Sequence, residues 1–145
     1  MKKVLVLCVN NSCRSQMAEG YLNYYGSRFA LFYSAGSNPT ELHELAKQVM
    51  EEDSIDIHAY TAKALSSFYG QKFDYLISVC NEVPDELLNR IKFKHKIQLN
   101  IPDPAKAKGT DAEKLKEFRR VREMIKVQML KFIGRELLVE APIAA

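Results

Sequence analysis

"VLVLCVNNSCRSQMAEG", Val4 to Gly20, runs through three kinds of chain in succession. Val4 to Cys8 is apolar throughout and rich in valine, the composition of a strand buried on both faces. From Ser15 onward the apolar residues fall at helical spacing: Met17, Ala18, Tyr21, Leu22 and Tyr25 share one side, and Gly26 ends the run. Between strand and helix lies a polar loop with two of the chain's three cysteines, two asparagines and an arginine. A buried strand passing through a tight loop into a helix is the opening unit of a parallel sheet.

Working outward, the same alternation continues. Phe29 to Ser34 reads as a second strand, closed by Ala35-Gly36. A helix is expected over about 41–51, with Leu42, Leu45, Ala46 and Val49 at helical spacing. Thr61 to Phe68 reads as a short helix, and Tyr75 to Val79 as a third strand ending at Cys80. Pro84 can start a short helix through Leu88. Ile97 to Ile101 reads as a fourth strand, with Lys92, Lys94 and Lys96 as a solvated edge leading into it. After the Asp103-Pro104 loop, Asp111 to Ile133 is the longest helix, striped by Phe118, Val121, Ile125, Met129 and Phe132 and stopped by Gly134. The expected fold class is α/β: a three-layer α/β/α arrangement around a central four-stranded parallel sheet. Residues 1–135 form one domain in this reading, and 136–145 a C-terminal tail of apolar character without an assigned place.

Size and charge set bounds. At 145 residues the chain suits one domain, which buries about 70% of its unfolded surface. Net charge is +3 with no long basic run, so no nucleic-acid partner is expected. The apolar start, Val4 to Val9, is too short for a signal peptide, and nothing approaches the ~18 apolar residues of a membrane span. Three cysteines do not make a disulfide framework; a reducing cytoplasm is the expected compartment, and any disulfide would be transient and catalytic. A monomer is expected.

The loop after the first strand carries the chemistry. In sheets of this kind ligands bind beyond the carboxyl ends of the strands. A loop feeding a helix N-terminus offers unpaired N–H groups and partial positive charge, a cradle for an oxyanion. The backbone of Val9, Asn10, Asn11, Ser12, Cys13 and Arg14 would form it, and the Arg14 guanidinium adds a planar fork of donors. Helix N-termini and nearby cations stabilise thiolates, so Cys8 is a nucleophile aimed at the centre of a bound anion. Ser15 can donate to the sulfur. Asn11 tolerates left-handed backbone angles and can brace the loop. A Walker-type nucleotide loop is excluded, because no Gly-Lys-Ser/Thr is present. Cys80 and Asp103 follow other strands on the same sheet edge. Read from the residues alone, Cys80 is either a second reactive thiol or an inert strand-end side chain, and Asp103 either a proton donor or a turn residue. Cys13 reads as packing.

"NSCRSQMAEG", Asn11 to Gly20, resembles the signature of arsenate reductases built on the low-molecular-weight protein tyrosine phosphatase fold. The resemblance continues through "YSAG" (Tyr33 to Gly36), "LISVC" (Leu76 to Cys80), Asp103-Pro104 and "FRRVREMI" (Phe118 to Ile125). It implies that Cys8 attacks the arsenic of arsenate held by the loop and Arg14, while Asp103 protonates the departing hydroxyl. Cys80 then attacks the Cys8–arsenic adduct, arsenite leaves, and a Cys8–Cys80 disulfide remains for an external thiol to reset. Some relatives hold a potassium ion near the loop. Asn11, Glu19 and Ser34 match three of its ligand positions, but Lys63 stands where those proteins have an acid. An ammonium can take the cation's place, so no metal is expected, and Asn11, Glu19 and Ser34 are read as loop support.

Two departures from the family pattern bear on function, and further positions set the chain apart from the phosphatases. Thioredoxin-coupled members carry another cysteine shortly after the one matching Cys80, and here none follows. The reductant must then be thioredoxin acting directly, glutaredoxin with glutathione, or mycothiol, and the segment after Cys80 is expected to be mobile enough to admit it. Asn10 replaces the glycine usual in the phosphatase loop, which narrows the rim and favours a small inorganic anion. Gln16 stands where phosphatases usually have proline, and Ala105 and Lys106 follow Asp103-Pro104 where they have an aromatic wall. Arsenate reduction is therefore the leading expectation. The alternatives are a low-molecular-weight tyrosine phosphatase acting through a Cys8 phosphocysteine, and a non-catalytic oxyanion sensor.

Overall fold

The computed structural model describes residues 1–138. Its sheet contains β1 (Lys2–Cys8), β2 (Ala30–Gly36), β3 (Lys72–Ser78) and β4 (Lys92–Gln98), all parallel, in the order β2-β1-β3-β4. The helices are α1 (Arg14–Gly26), α2 (Glu44–Glu52), the short α3 (Asp85–Leu88) and α4 (Asp111–Phe132). The expected three-layer α/β/α class is the one observed.

β1 lies at the centre for the reason its sequence gives. Val4, Leu5, Val6 and Leu7 have no exposed surface, and a strand covered on both faces needs no polar alternation. Its register runs from Lys2 opposite Ala30 to Cys8 opposite Gly36 on one side, and from Val4 opposite Tyr75 to Leu7 opposite Ser78 on the other. The chain leaves β1 toward β2, then crosses over to β3. The strand order therefore reverses between β1 and β3, and the crevice beyond their ends is where such sheets bind ligands. Cys8 and Cys80 stand at that point. α1 packs on α4 across the core, with Tyr21, Leu22, Val121 and Ile125 fully buried.

Several boundaries differ from the sequence expectation, among them β3, which is Lys72–Ser78 and not 75–79. The fourth strand is Lys92–Gln98, not 97–101: Lys92, Lys94 and Lys96 belong to the strand itself. β4 is an edge strand exposed along nearly its whole length, with only Ile97 half-buried, so the lysines sit where they deter pairing with another sheet. α2 starts at Glu44, not 41, because 38–43 runs extended along the loop after β1. The expected helix at 61–68 shrinks to a 3-10 turn, Leu65–Phe68, whose Phe68 ring meets Tyr33 and Phe73. Gly134 does not stop the last helix. The chain continues through a π-helical turn, Ile133–Leu137, because Ile133 and Leu137 are buried and Glu136 accepts a hydrogen bond from Tyr75 at 3.0 Å. The rest of the C-terminal tail, 139–145, lies outside the described residues.

Candidate active site

The loop from Val9 to Cys13 is pinned from outside. The carbonyls of Val9, Asn10 and Ser12 accept from the amides of Asn38, Thr40 and His43 at 2.8, 2.9 and 2.9 Å. In a planar trans peptide the C=O of one residue and the N–H of the next point in opposite directions. The amides of Asn10, Asn11 and Cys13 are thus turned away from the 38–43 segment, toward the nucleophile. Asn11 confirms the direction, since its N–H donates to Cys8 Sγ at 3.3 Å. Those of Asn10, Ser12 and Cys13 have no acceptor among the described residues. Together with the α1 terminus they form the expected concentration of donors.

Asn11 holds this shape. Its φ of 51° is left-handed, an angle that asparagine adopts more readily than most residues. Its Nδ2 donates to Ser15 Oγ at 2.7 Å and to Ser34 Oγ at 3.0 Å, while its Oδ1 accepts from Gln16 Nε2 at 3.1 Å and the Lys63 amide at 2.9 Å. Both donors and the acceptor of this fully buried side chain are used. Because Ser15 Oγ accepts from Asn11, its own hydrogen can turn to Cys8 Sγ, 3.1 Å away. Glu19 is buried and held near Ser34. Burial pushes its carboxyl up, against the pull of Lys63, whose Nζ lies 3.8 Å from Glu19 Oε1. Lys63 is the nearest cation to Glu19, whose Oε1 is buried without a hydrogen-bond partner among the described residues.

Arg14 and Asp103 close the other side. Arg14 Nη1 donates to the Ile101 carbonyl at 2.9 Å, and Nη2 stands 3.8 Å from Asp103 Oδ2. Arg14 Nε is buried and without a partner among the described residues. A buried guanidinium N–H without an acceptor is costly, and a bound oxyanion would satisfy it. Asp103 Oδ1 accepts from the Ala105 amide at 3.0 Å and lies 3.7 Å from Cys13 Sγ. Burial first, then the charge of Asp103, pushes the Cys13 thiol up to about 12, so Cys13 packs as a neutral thiol. Cys80 is 2% exposed. It shares a cavity of about 290 Å³ with Arg14 and Asp103, and burial pushes its thiol up too.

Of the expected site residues, Arg14, Cys80 and Asp103 line this crevice, while Cys8 is held at the adjoining loop by Asn11 and Ser15, and Glu19 and Ser34 lie behind it. Sequence reading had missed several others. Gln16 had stood only as a departure from the phosphatases. It is fully buried, and besides Asn11 it bonds the Thr61 carbonyl at 2.9 Å; a polar residue in the first turn after the loop was the available sign. Gly36 had read as a strand end. A Cβ there would stand 2.5 Å from the Val9 carbonyl and 2.8 Å from the Asn11 amide, so only glycine lets β2 pass behind the loop. The Ile101 carbonyl and the 38–43 amides act through the backbone and leave no mark in the side-chain pattern.

The chain is similar to known proteins over most of its length. An arsenate reductase of Halalkalibacterium halodurans is 38% identical over 125 residues, covering 86% of this chain and 89% of its own. The glutaredoxin arsenate reductase of Synechocystis sp. is 33% identical, with 93% and 98% covered. A solved arsenate reductase in a phosphate-binding state superposes with a TM-score of 0.77 at 32% identity, again covering 93% of this chain and 98% of that one. The family model described as low molecular weight phosphotyrosine protein phosphatase matches residues 3–141. With its nucleophile loop, arginine and Asp-Pro set around the reversal of a four-stranded parallel sheet, the chain belongs to that family.

Proposed function

We propose that this protein is a thiol-dependent arsenate reductase. The loop amides and Arg14 bind arsenate, and Cys8 attacks arsenic from below while Asp103 protonates the departing hydroxyl, which leaves as water. Arsenic remains As(V) in this first adduct. Cys80 then attacks Cys8 Sγ, a disulfide forms, and arsenic leaves as arsenite. The observation that carries the reading is the shared cavity: Cys80 opens onto the same space as Arg14 and Asp103. A phosphocysteine resolved by water has no need of a second sulfur there.

The reset step falls to an outside thiol. The chain has three cysteines, and none lies beyond Cys80 to carry the disulfide outward. The reductant must reach the Cys8–Cys80 bond where it forms. Glutaredoxin with glutathione is favoured by the relative named for it; thioredoxin and mycothiol are the other donors to compare. The reaction fits a reducing cytoplasm.

Phosphatase activity is the second reading, favoured by the loop itself. A cradle of amides cannot strongly separate two tetrahedral anions of like charge. Weak hydrolysis of small aryl phosphates is expected, limited by Ala105 and Lys106 where an aromatic wall would grip the substrate. The deciding experiment supplies arsenate with glutaredoxin and glutathione, thioredoxin, or mycothiol in separate arms, for the native chain and Cys80→Ser. Arsenite release with at least one donor, lost in Cys80→Ser, is expected. No release with any donor, beside brisk aryl phosphate hydrolysis, would overturn the reductase.

A further inference from the structure

Cys13 is the one sulfur of the three cysteines to which the reductase reading gives no task. It is 4% exposed and stands at the start of α1, where its carbonyl accepts from the Met17 amide at 2.9 Å. A polar side chain at this position commonly caps its own helix. That of Cys13 makes no such bond. Its S–H donates instead to Asp103 Oδ1 across 3.7 Å, joining residues 90 positions apart. The Ser12 hydroxyl donates to the sulfur at 4.0 Å, so the sulfur's own hydrogen is left for the carboxyl group. A thiol is a weak donor; what matters here is which oxygen it occupies.

Around Asp103 the partners are divided by oxygen. Oδ1 accepts from the Ala105 amide at 3.0 Å and from the Cys13 thiol. Oδ2 faces Arg14, whose Nη2 stands 3.8 Å away. A carboxyl oxygen offers about two lone-pair directions. Both are taken at Oδ1, so in the acid form Oδ1 is the carbonyl oxygen and the proton belongs on Oδ2. The Ala105 amide lies in the turn that Asp103 itself caps, and it moves with that turn. Among the described residues, only Cys13 ties Oδ1 to the nucleophile loop.

We propose that Cys13 is the positioning residue of the general acid: its thiol hydrogen fastens Asp103 Oδ1 to the nucleophile loop and leaves Oδ2, beside Arg14 and the bound anion, to carry the transferable proton. This rests on the reading of Asp103 as the acid of the first step. Burial first, then the charge of Asp103, keeps the hydrogen on the sulfur. In that step a Cys8–arsenic bond forms with the electron pair of sulfur. One arsenic–oxygen bond breaks, its pair stays on oxygen, and the Oδ2 proton turns the departing hydroxyl into water. Arsenic remains As(V), and the Cys13 hydrogen never leaves its sulfur. Without that hydrogen the carboxyl group is free to turn, and its proton is less often aimed at the leaving oxygen. A placed proton donor contributes about 10²–10⁴-fold, and a displaced one forfeits part of that.

The test has two measurements. The first needs no substrate. The infrared S–H stretching band that disappears in Cys13→Ala belongs to Cys13, and it should move to higher frequency in Asp103→Ala, where its acceptor is gone. An unmoved band would overturn the proposal. The second reads the leaving group. A proton donor matters most when the leaving group is poor, so kcat/KM of Cys13→Ala should fall about tenfold for phenyl phosphate and only about twofold for para-nitrophenyl phosphate. Arsenate, which loses hydroxide, should follow phenyl phosphate. Cys13→Ser offers a hydroxyl donor in the same place and should recover most of the loss. Adding Cys13→Ala to Asp103→Asn should cost nothing further, because the proton is already missing. Equal losses on the two esters, or a full extra loss in the Asp103→Asn background, would reduce Cys13 to packing and overturn the proposal. The band and the ester comparison use no arsenate. A moved band and a selective loss on phenyl phosphate, without arsenite release by the native chain, would therefore sink the reductase reading alone.

Discussion

Cys8 and Cys80 end neighbouring strands, but the chain that follows each is built differently. After Cys8, the loop carbonyls are tied to 38–43 and the side chains of Asn11, Ser15, Gln16 and Ser34 bond one another in full burial. After Cys80, Asn81, Glu82, Pro84, Asp85 and Glu86 are exposed, and the segment is anchored by buried Val83 and Leu88 with half-buried Leu87. A nucleophile that must meet a bound anion gains from a fixed geometry. A sulfur that must move to attack, and then be reached by a reductant, gains from a loose one. Rigidity is divided between the two sulfurs according to what each must do.

The sharpest break in that comparison is to remove each sulfur in turn. Cys8→Ser should lower both arsenate turnover and aryl phosphate hydrolysis by at least about a thousandfold. Cys80→Ser should stop arsenite release and leave aryl phosphate hydrolysis standing. Equal losses of both activities in the two variants would mean that Cys80 belongs to the first step, and the division of labour would fail. Asp103→Asn comes next, with a loss of about a hundredfold or more in aryl phosphate hydrolysis, the usual range for a lost proton donor.

The fixed loop can also be disturbed without touching a reacting group. Gly36→Ala forces a Cβ against the Val9 carbonyl at 2.5 Å and the Asn11 amide at 2.8 Å. Overpacking of this kind costs about 1–3 kcal/mol. Here the strain falls on the anion cradle, so the Michaelis constant for arsenate should rise and the urea midpoint fall together. A stability loss with unchanged kinetics would show that the loop absorbs the shift elsewhere. Hydrogen exchange reads the contrast in the native chain. Amides of 81–87 should exchange well ahead of Asn11 and of the 38–43 amides bonded to the loop, and equal protection would erase the distinction between the two regions.

The sequence disclosed these regions unequally. The first unit was legible because three independent signs agree: an apolar strand, polar loop residues, and a helix face starting at Ser15. The sheet class followed from alternation, and the crevice from Cys8, Cys80 and Asp103 each lying at or after the end of a strand. What the sequence hid was carried by backbone. Nothing in the order of residues from 38 to 43 says that their amides fasten the loop, so that stretch read partly as helix. β4 was displaced because its lysines looked like solvent-facing lead-in, when an edge strand wants such residues on it.

The smallest expected effect lies at the fastening itself. His43 caps α2, its Nδ1 accepting from the Leu45 amide at 3.1 Å, while its own amide holds the Ser12 carbonyl. Its ring lies against Phe118, 4.7 Å between centroids. Burial holds its imidazole below the ordinary 6.5, outweighing the charges of Asp103 and Glu44. A protonated Nδ1 cannot accept, so charging His43 removes the cap. The unfolded chain takes that proton more readily than the folded one. The contribution is therefore present in full above about pH 6.5 and is lost as pH falls below it. The cap is worth about 1 kcal/mol, which bounds the change. His43→Asn keeps a capping acceptor that does not titrate. Urea midpoints of the two proteins should run parallel above pH 7 and separate as pH falls below 6.5, the native chain falling faster. Parallel lines throughout would mean that the loop's outer fastening is indifferent to the charge on His43, and that its rigidity rests on the Asn11 network alone.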